Sequence, residues 1–164
     1  METKHQLRKS YQAYRDALPA EERRILSSQI SRRLLATLMY QEAEQILVYS
    51  SIKSEVDLSD FYMQAYKDHK ELFFPRVHGE EMEFYQVSEP KTDLESGCFG
   101  VMGPKTALPG FDMKDKEIPI LVPGVVFSRL GQRFGYGKGY YDRYLVRYPN
   151  LLPIGVGFEV QMAD

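Results

Sequence analysis

Hydrophobic positions recur at helical spacing through the first forty residues of the chain. Residues 2–17 and 20–39 are predicted to form two helices, because apolar side chains return every three or four positions in each. The first stripe holds Leu7, Tyr11, Tyr14 and Leu18, and the second holds Ile25, Ile30, Leu34, Leu35 and Leu38. Pro19 separates the two and suits the first turn of the second helix. The chain is therefore expected to begin with a pair of amphipathic helices.

Short apolar runs alternate with helical spacing in the middle of the chain. Strands are predicted at residues 46–49 and 72–74, where apolar residues are continuous, and at residues 82–87, where they alternate with polar ones. A helix is predicted over residues 58–69, between the first two strands. Residues 88–117 hold a succession of Gly and Pro residues and are therefore predicted to form a long loop region.

The strand and helix patterns resume after this region. Residues 118–122 and 154–158 are predicted strands, and residues 139–148 between them are a predicted helix. Strands that are separated by helices need crossover connections, which favour parallel pairing with helices on both faces. We expect an α/β fold, a three-layer α/β/α sandwich of Rossmann-like type around a mainly parallel, mixed central sheet.

The carboxyl ends of the strands are the expected place for a ligand. In open α/β sheets, ligands bind in the crevice beyond these ends. The loops that start at Ser50, Pro75 and Pro123 each follow a predicted strand, so they should gather at one edge of the sheet. Functional chemistry is therefore expected in those loops.

Composition is typical of one globular domain, with 164 residues, 43% of them hydrophobic and 27% charged. The longest apolar stretches, such as residues 118–127, are too short for a bilayer span. The N-terminal residues lack the pattern of a secretory signal, so a cytoplasmic location is expected, with no membrane partner. The single cysteine, Cys98, cannot form an internal disulfide and is interpreted as a packed or incidental thiol.

Positive charge is concentrated in two segments of a chain whose net charge is −2. Residues 1–33 hold eight Lys and Arg against four Asp and Glu, and residues 124–148 hold five against one, so each segment carries +4. The rest of the chain must carry −10 for the total to be −2. An anionic ligand between the two segments is one interpretation. For the N-terminal segment, the alternative is the solvated face of a helix.

Three glycines alternate at positions 135, 137 and 139, directly before the predicted helix 139–148. Glycine accepts positive φ angles and lets a ligand approach the backbone, so successive N–H groups can converge on phosphate oxygens. The free N–H groups at the start of a helix add to this attraction. The alternative is an ordinary turn or a flexible linker, because a glycine-rich loop alone is a weak signal.

Charged residues beside these glycines strengthen the phosphate interpretation. Arg133 could bind a phosphate as a bidentate fork, and Lys138 could act as a mobile point charge. Asp142 falls in the first turn of the predicted helix, where it could hold Mg²⁺ or merely stabilise the helix. The run is not a Walker A loop, because Lys138 is followed by Gly139, and it lacks the dinucleotide pattern Gly-x-Gly-x-x-Gly.

The whole run from Pro123 to Leu145 resembles the signature of the 5-formyltetrahydrofolate cyclo-ligase family, also called 5,10-methenyltetrahydrofolate synthetase. The resemblance extends to residues 4–8, 51–55, 74–76, 89–90 and 154–158. It implies ATP-dependent conversion of 5-formyltetrahydrofolate to 5,10-methenyltetrahydrofolate, with release of ADP and phosphate, on a three-layer α/β fold. It also implies that the formyl oxygen is phosphorylated and that N10 then closes the ring.

The resemblance also assigns roles to individual residues. Contacts with ATP fall to Lys4, Arg8, Arg133, Gly135, Tyr136, Gly137, Lys138, Gly139, Tyr140 and Tyr141. Contacts with the folate fall to Glu55, Tyr136, Gly137, Lys138, Gly139 and Tyr140. Lys4, Arg133 and Lys138 are the implied catalytic residues, and Asp142 is the implied ligand of Mg²⁺. The implied partners are these two small molecules, bound by a monomer.

Residue patterns by themselves leave alternatives for several of these assignments. Lys4 and Arg8 are four positions apart and share one helical face, which could reach a phosphate or simply be solvated. Glu55 follows a predicted strand, where it could accept hydrogen bonds from pterin N–H groups or be a surface acid of a loop. Arg76 follows a buried strand and could pair with phosphate or with an internal acid.

Two features depart from the family pattern. Many relatives have Arg where this chain has Tyr136, so one phosphate or folate contact should be replaced or absent. The family continues beyond the position of Asp164 with a further segment that carries a second acidic metal contact. We therefore expect residues 1–164 to be a single cyclo-ligase domain that lacks this C-terminal segment.

Two competing functions belong to other classes. Tyrosine and arginine interleave over residues 140–148, which would suit a non-catalytic binder of nucleotides, other anions or nucleic acid. A pI near 6.0 is low for a nucleic-acid binder, so no nucleic-acid partner is expected. An enzyme acting on a sugar phosphate or coenzyme A would rest on analogy of fold alone.

Overall fold

Helices and strands alternate along the chain much as the apolar pattern predicts. The computed structural model describes residues 3–97 and 101–163, so Cys98 lies outside the described residues. The helices are α1 (Lys4–Asp16), α2 (Ala20–Leu35), α3 (Leu38–Glu42), α4 (Ser59–Lys67), α5 (Pro90–Asp93) and α6 (Tyr140–Arg147), with a 3-10 turn at Glu159–Gln161. The strands are β1 (Gln45–Leu47), β2 (Glu71–His78), β3 (Glu81–Val87), β4 (Leu94–Ser96), β5 (Met102–Pro104), β6 (Ile118–Val122), β7 (Val126–Phe127), β8 (Arg133–Phe134) and β9 (Leu151–Gly155).

The central sheet has the strand order β3-β2-β1-β6-β9, and its strands are parallel except for β3 at one edge. In the middle of the sheet, Leu47 pairs with Phe73 of β2 and with Ile120 of β6. The chain leaves β1 toward β2 and leaves β6 toward β9, in opposite directions across the sheet. The strand order therefore reverses between β1 and β6, and such switch points are where open α/β sheets bind ligands.

Apolar side chains on both faces of this sheet build two hydrophobic cores. Ile46 and Leu72 pack on one face together with residues of α2 and α4, whereas Leu47 and Phe73 pack on the other with residues of α6. Consecutive residues of a strand point to opposite faces, so continuous apolar runs serve both cores. Full burial of such a side chain stabilises the fold by about 1.5–3 kcal/mol. Helices on both faces confirm the predicted three-layer α/β/α architecture.

The predicted N-terminal helices are present, with one break. Helix α1 begins at a capping box, in which Thr3 accepts a hydrogen bond from the Gln6 N–H and the Gln6 side chain accepts one from the Thr3 N–H. The second predicted helix is divided at residues 36–37, because Thr37 accepts the N–H of Tyr40 and starts α3. No helix of the described residues has the length and hydropathy needed to cross a bilayer.

Several apolar positions of the predicted helix stripes are not buried. Tyr14 is 53% exposed, Ile25 44% and Leu38 67%, so these members of the apolar stripes do not join the core. The fully buried residue of α1 is instead the charged Arg15. Helix α1 packs against β7 and the 3-10 turn, beside the core and not within it. Leu7 and Tyr11 of its apolar stripe are half-buried and Tyr14 is exposed, so the stripe follows the covered side only in part.

Short elements account for the other differences from the predicted pattern. Residues 88–117 contain α5 and an antiparallel pair of three-residue strands, β4 and β5, where a loop was predicted. The two-residue strands β7 and β8 were not predicted. Strand β9 starts three residues before its predicted position, because its register is set by pairing with β6. Two or three residues are too few to show a periodic signal.

Candidate functional site

A cleft of about 880 Å³ lies at the carboxyl ends of β1, β2 and β6, and we call it the ligand cleft. Ser50, Pro75 and Pro123 line it, so these three positions gather as predicted, although Pro75 lies within β2 and does not start the loop that was predicted there. The same cleft is lined by all the predicted site residues: Lys4, Arg8, Glu55, Arg133, Gly135, Tyr136, Gly137, Lys138, Gly139, Tyr140, Tyr141 and Asp142. The fold therefore unites residues from distant parts of the chain, and their individual roles stay predictions.

The glycine-rich loop, residues 135–139, needs its glycines for two different reasons. Gly137 and Gly139 have φ angles of 93° and 74°, in the left-handed region that side chains disfavour. At Gly135 the reason is space, because a Cβ atom there would lie 2.7 Å from Nη2 of Arg133. The loop thus turns twice and leaves room for a guanidinium against its backbone.

The N-terminal end of α6 faces the ligand cleft. Gly139 is the N-cap residue and provides no side-chain hydrogen bond to the first turn, and Gly139 to Asp142 all line the cleft. Uncapped N–H groups and the positive end of the helix dipole attract an anion at such a position. The carboxylate of Asp142 is 80% exposed in this first turn and lies 3.8 Å from Nη1 of Arg133.

Asp142 fits a metal that is held mainly by a ligand's own oxygens. Within residues 3–97 and 101–163, no group of three or more His, Cys, Asp or Glu side chains could hold a metal ion. Mg²⁺ commonly binds through one or two carboxylates, with phosphate oxygens and water completing its six ligands. The exposed carboxylate beside an anion site suits that arrangement, whereas a metal centre built by side chains alone does not fit the described residues.

Arg133 is a largely enclosed cation of the cleft wall, with its side chain 19% exposed. Its Nε donates a hydrogen bond of 2.6 Å to the carbonyl oxygen of Pro123, and its guanidinium carbon lies 5.2 Å from the ring centre of Tyr141. Burial lowers the pKa of Arg133, with Tyr141 and Asp142 opposing this change. A guanidinium nevertheless stays protonated in proteins. Arg133 therefore presents a fixed positive charge to the cleft.

Two cations of α1 lie over one aromatic ring of β8. The Nζ atom of Lys4 is 5.5 Å from the ring centre of Phe134, and the guanidinium carbon of Arg8 is 5.7 Å from it. The Nε of Arg8 also donates a 2.8 Å hydrogen bond to the carbonyl oxygen of Gly135. Cation–π contacts hold the two like charges near each other and beside the glycine-rich loop. The two basic segments of the sequence thus meet in the ligand cleft.

Glu55 is a buried acid in the cleft wall, with a relative exposure of 8%. Its Oε1 accepts the N–H of Ile52 at 2.8 Å, and its Oε2 accepts the hydroxyl of Tyr136 at 3.2 Å. Burial raises the pKa of Glu55, while the Ile52 N–H, Arg15, Tyr136 and Arg133 act in the opposite direction. The carboxylate of Glu55 is therefore a hydrogen-bond acceptor in a fixed position. It is not the surface acid of a loop that the sequence left as an alternative.

Arg15 is a residue of this region that sequence reasoning missed. Its guanidinium donates hydrogen bonds to Ser54 Oγ at 2.8 Å, to the carbonyl oxygen of Gly124 at 3.2 Å and to the hydroxyl of Tyr136 at 2.7 Å. The available signal was its position, seven residues after Arg8, which places both on one face of α1. Gln161, also missed, donates to the same Gly124 carbonyl oxygen at 2.8 Å.

Other charged and aromatic residues near the cleft are tied to neighbouring segments. Arg76 lies 3.5 Å from Glu95 and donates to the carbonyl oxygen of Pro104, which favours the pairing with an acid over the pairing with phosphate. The interleaved tyrosines of α6 include Tyr144, which is 3% exposed and packs on Phe84. A buried ring cannot serve as a platform for stacking bases.

Sequence comparisons relate the chain to one family of known proteins. A sequence model of the 5-formyltetrahydrofolate cyclo-ligase family matches residues 1–163. The "Probable 5-formyltetrahydrofolate cyclo-ligase" of Schizosaccharomyces pombe is 32% identical over an alignment 126 residues long, which covers 74% of this chain and 61% of that protein. The alignment thus covers less than two thirds of the length of that relative.

Two solved structures resemble the chain over nearly its whole length. The NMR structure of 5,10-methenyltetrahydrofolate synthetase from Aquifex aeolicus has a TM-score of 0.85 and 38% identity, over 97% of this chain and 79% of that one. The 5,10-methenyltetrahydrofolate synthetase from Mycoplasma pneumoniae has a TM-score of 0.77 and 27% identity, over 99% of this chain and 90% of that one. Sequence and fold therefore point to the same group of proteins.

Proposed function

Because this chain belongs to the 5-formyltetrahydrofolate cyclo-ligase family, we propose that it converts 5-formyltetrahydrofolate to 5,10-methenyltetrahydrofolate with ATP, releasing ADP and phosphate. The observation that carries the proposal is the composition of the ligand cleft. One part of its wall holds a buried carboxylate, and another holds four cations around a glycine-rich loop and a helix N-terminus. A pterin with N–H donors and a nucleotide with a polyphosphate require these two environments in one site.

The polyphosphate of ATP is proposed to bind where the two basic segments meet. Lys4, Arg8, Arg133 and Lys138 line this part of the cleft and supply positive charge, and the N–H groups at the start of α6 supply hydrogen bonds. Arg133 has a fixed orientation, since the Pro123 carbonyl oxygen holds its Nε. Several positive charges and N–H donors in one place favour a ligand whose negative charge is spread over several phosphate oxygens.

The pterin ring of the folate is proposed to bind at Glu55. The carboxylate is held by the Ile52 N–H and the Tyr136 hydroxyl, so its position does not depend on the ligand. A held carboxylate can accept hydrogen bonds from the N–H groups at the edge of a pterin. Tyr136 belongs to the glycine-rich loop and its hydroxyl contacts Glu55, which is compatible with its prediction as a contact for both ligands.

Positioning and neutralisation of charge are the main contributions of the chain to the proposed reaction. The formyl oxygen attacks the γ-phosphorus of ATP, the bond from phosphorus to the bridging oxygen breaks, and ADP leaves. N10 then attacks the activated carbon, N10 loses its proton, and the carbon–oxygen bond breaks to release phosphate and close the ring. Lys4, Arg133 and Lys138 are proposed to stabilise the negative charge of the phosphoryl group during transfer.

A turnover assay tests this function directly. Purified protein is mixed with ATP, Mg²⁺ and 5-formyltetrahydrofolate, and the absorbance of the methenyl product and the amount of ADP are followed together. We expect both products to form in equal amounts and only when all components are present. Binding of ATP without either product would contradict the proposal and favour a non-catalytic nucleotide binder.

Mg²⁺ would supply charge neutralisation at the phosphates, and Asp142 would hold it from the start of α6. Replacement of Asp142 by Asn should raise the Mg²⁺ concentration for half-maximal turnover at least tenfold, because the side chain would lose its charge and keep its shape. The effect should be moderate, since the carboxylate is exposed and would be only one of several ligands of the ion. The measurement is turnover against Mg²⁺ concentration, with Asp115→Asn, in the loop before β6, as the control. An unchanged Mg²⁺ dependence would remove Asp142 from this role.

The space at Gly135 provides a further prediction for the ATP subsite. A Gly135→Ala substitution would place a Cβ atom 2.7 Å from Nη2 of Arg133, so the guanidinium must move. We expect the KM for ATP to rise about tenfold and the free energy of unfolding to fall by about 1–3 kcal/mol, the range for an overpacked site. Gly110→Ala is the matched control, because its Cβ would have no atom within 4 Å. A KM for ATP equal to that of the wild type would contradict the fixed position of Arg133.

The finer features of the proposal are the Mg²⁺ requirement, a monomeric state and a cytoplasmic location. ATP and the folate are the proposed partners, and nucleic acid is not one of them. Oligonucleotide binding that weakens with salt, in the absence of turnover, would favour the competing interpretation of the interleaved tyrosines and arginines. Burial of Tyr144 weighs against that interpretation.

A further inference from the structure

The buried guanidinium of Arg15 is not used by the reaction described above, although it touches three segments that build the ligand cleft. It donates to the loop after β1 at Ser54, to the loop after β6 at Gly124 and to the glycine-rich loop at Tyr136. Arg15 is 0% exposed and does not line the cleft itself. A buried cation without compensation is strongly unfavourable, so these partners must offset a large desolvation cost.

The hydroxyl of Tyr136 connects this cation to the acid of the cleft. It accepts a hydrogen bond of 2.7 Å from Nη2 of Arg15 and donates one of 3.2 Å to Oε2 of Glu55. Because an arginine can only donate, the hydroxyl proton is directed away from Arg15 and toward the carboxylate. The three groups therefore form a chain of hydrogen bonds with one direction, from the guanidinium through the phenol to Glu55.

We propose that Arg15 is a positioning residue for the folate, which acts through Tyr136 to keep Glu55 ionised and correctly oriented as the acceptor for the pterin. This inference rests on the proposed function, in which Glu55 binds the folate. Arg15 touches neither substrate in this scheme. Tyr136 transmits its effect, because its hydroxyl contacts both Arg15 and Glu55.

The surroundings of Glu55 are consistent with a need for this support. Burial raises the pKa of the carboxyl group, and Arg15 and Tyr136 are among the groups that lower it. Tyr136 keeps its own proton, since burial and Glu55 raise its pKa to about 12. The titratable and charged groups around Glu55 are Arg15 of α1, Tyr49 after β1, Lys53 of the same loop, Tyr62 of α4, Arg133 of β8, Tyr136 of the glycine-rich loop and Tyr141 of α6.

The first test measures the ionisation of Glu55 without any substrate, by NMR of protein labelled with ¹³C at the glutamate carboxyl groups. We expect the pKa of Glu55 to rise in Arg15→Met and in Tyr136→Phe, and to rise less in Arg15→Lys, which keeps the charge. Ser54→Ala is the matched control, because it removes another hydrogen-bond partner of Arg15 and leaves the link to Tyr136 and Glu55 in place. It should lower thermal stability and leave the Glu55 pKa unchanged.

The second test separates binding of the folate from binding of ATP. In Arg15→Met at neutral pH, the KM for 5-formyltetrahydrofolate should rise roughly tenfold, which is the effect of one lost charge-assisted hydrogen bond. The KM for ATP should change less than about twofold. The acidic limb of the folate kcat/KM profile should move to higher pH, because Glu55 would then gain its proton at higher pH. Arg15→Lys should restore part of both values.

These measurements distinguish failure of the inference from failure of the proposed function. An unchanged Glu55 pKa in folded Arg15→Met, or in Tyr136→Phe should the first variant not fold, would overturn the inference. Equal rises in the KM values for folate and ATP with an unmoved pH profile would also overturn it and indicate a purely structural Arg15. A wild-type protein without turnover, whose Glu55 pKa still responds to Arg15, would refute the function and support the coupling.

Discussion

Replacement of Arg133 by Met should lower kcat/KM for the ligase reaction by about a thousandfold, the effect of removing a fixed charge that stabilises a transferred group. Methionine retains most of the apolar length of the side chain and loses the guanidinium. The substitution also leaves the Pro123 carbonyl oxygen without its 2.6 Å donor, which costs about 1–3 kcal/mol of stability. Steady-state kinetics and a thermal unfolding curve measure the two effects separately.

Arg129 provides the matched control for Arg133. It lies in the turn between β7 and β8, its side chain is 62% exposed, and it pairs with the exposed Glu159. Exposed ion pairs contribute about 0–1 kcal/mol, so Arg129→Met should change kcat/KM less than about twofold. A folded Arg133→Met variant within tenfold of the wild type would show that the phosphate charge is neutralised elsewhere in the cleft.

Replacement of Glu55 by Gln should raise the KM for 5-formyltetrahydrofolate by about a hundredfold, within the range for lost hydrogen bonds to a charged group. The amide has the same shape as the carboxylate, yet it has no charge and presents an N–H₂ group to ligand donors. The KM for ATP should remain within about threefold of the wild-type value. Kinetics with each substrate varied in turn, at saturation of the other, measures both constants.

The pH dependence of folate kcat/KM provides a second test of the Glu55→Gln substitution. Burial raises the pKa of Glu55, so the carboxylate gains its proton at a higher pH than an ordinary acid does as the pH falls. Folate kcat/KM in the wild type should therefore decline on an acidic limb that is displaced to higher pH, and Glu55→Gln should lack this limb. Glu44→Gln, whose side chain is 80% exposed, should keep the wild-type profile. An identical limb in Glu55→Gln would assign it to another group.

Arg133 and Glu55 belong to different parts of the cleft, so the kinetic effects of their substitutions can be measured independently. One variant should affect the phosphoryl chemistry, and the other should affect folate binding. The Tyr136 hydroxyl is the structural connection between them, because its residue belongs to the glycine-rich loop and its oxygen contacts Glu55. Non-additive effects of Tyr136 and Glu55 substitutions would measure that connection.

Strand positions were predictable where the chain carries a strong local signal. The apolar runs that contain Ile46 and Leu72 place consecutive side chains on both faces of the sheet. Such runs indicate buried parallel strands even when the neighbouring strand is not known. The glycine-rich loop was predictable as a turn before a helix, because three alternating glycines directly precede the helical pattern of residues 139–148. Its three-dimensional details, such as the space that Gly135 leaves for Arg133, depend on a neighbouring strand.

Short strands and the burial of polar residues were not predictable in the same way. Strands β4, β5, β7 and β8 have two or three residues each and are defined by their pairing partners. Arg15 looked like part of a solvated basic segment, yet the fold buries it completely against three loops. Its hydrogen bonds span 39, 109 and 121 positions of the chain, and no local pattern reports partners at such separations.

The sequence by itself determined the α/β class and the central strands, and it predicted an anion site at residues 133–142. These properties follow from spacing and residue type over short windows, which a linear pattern contains. Only the tertiary structure decided that Lys4, Glu55 and Arg133 share one cleft and that a buried arginine lies behind it. The reason is that strand order, register and helix docking bring these residues together, and the free energy of those contacts is not a property of any single segment.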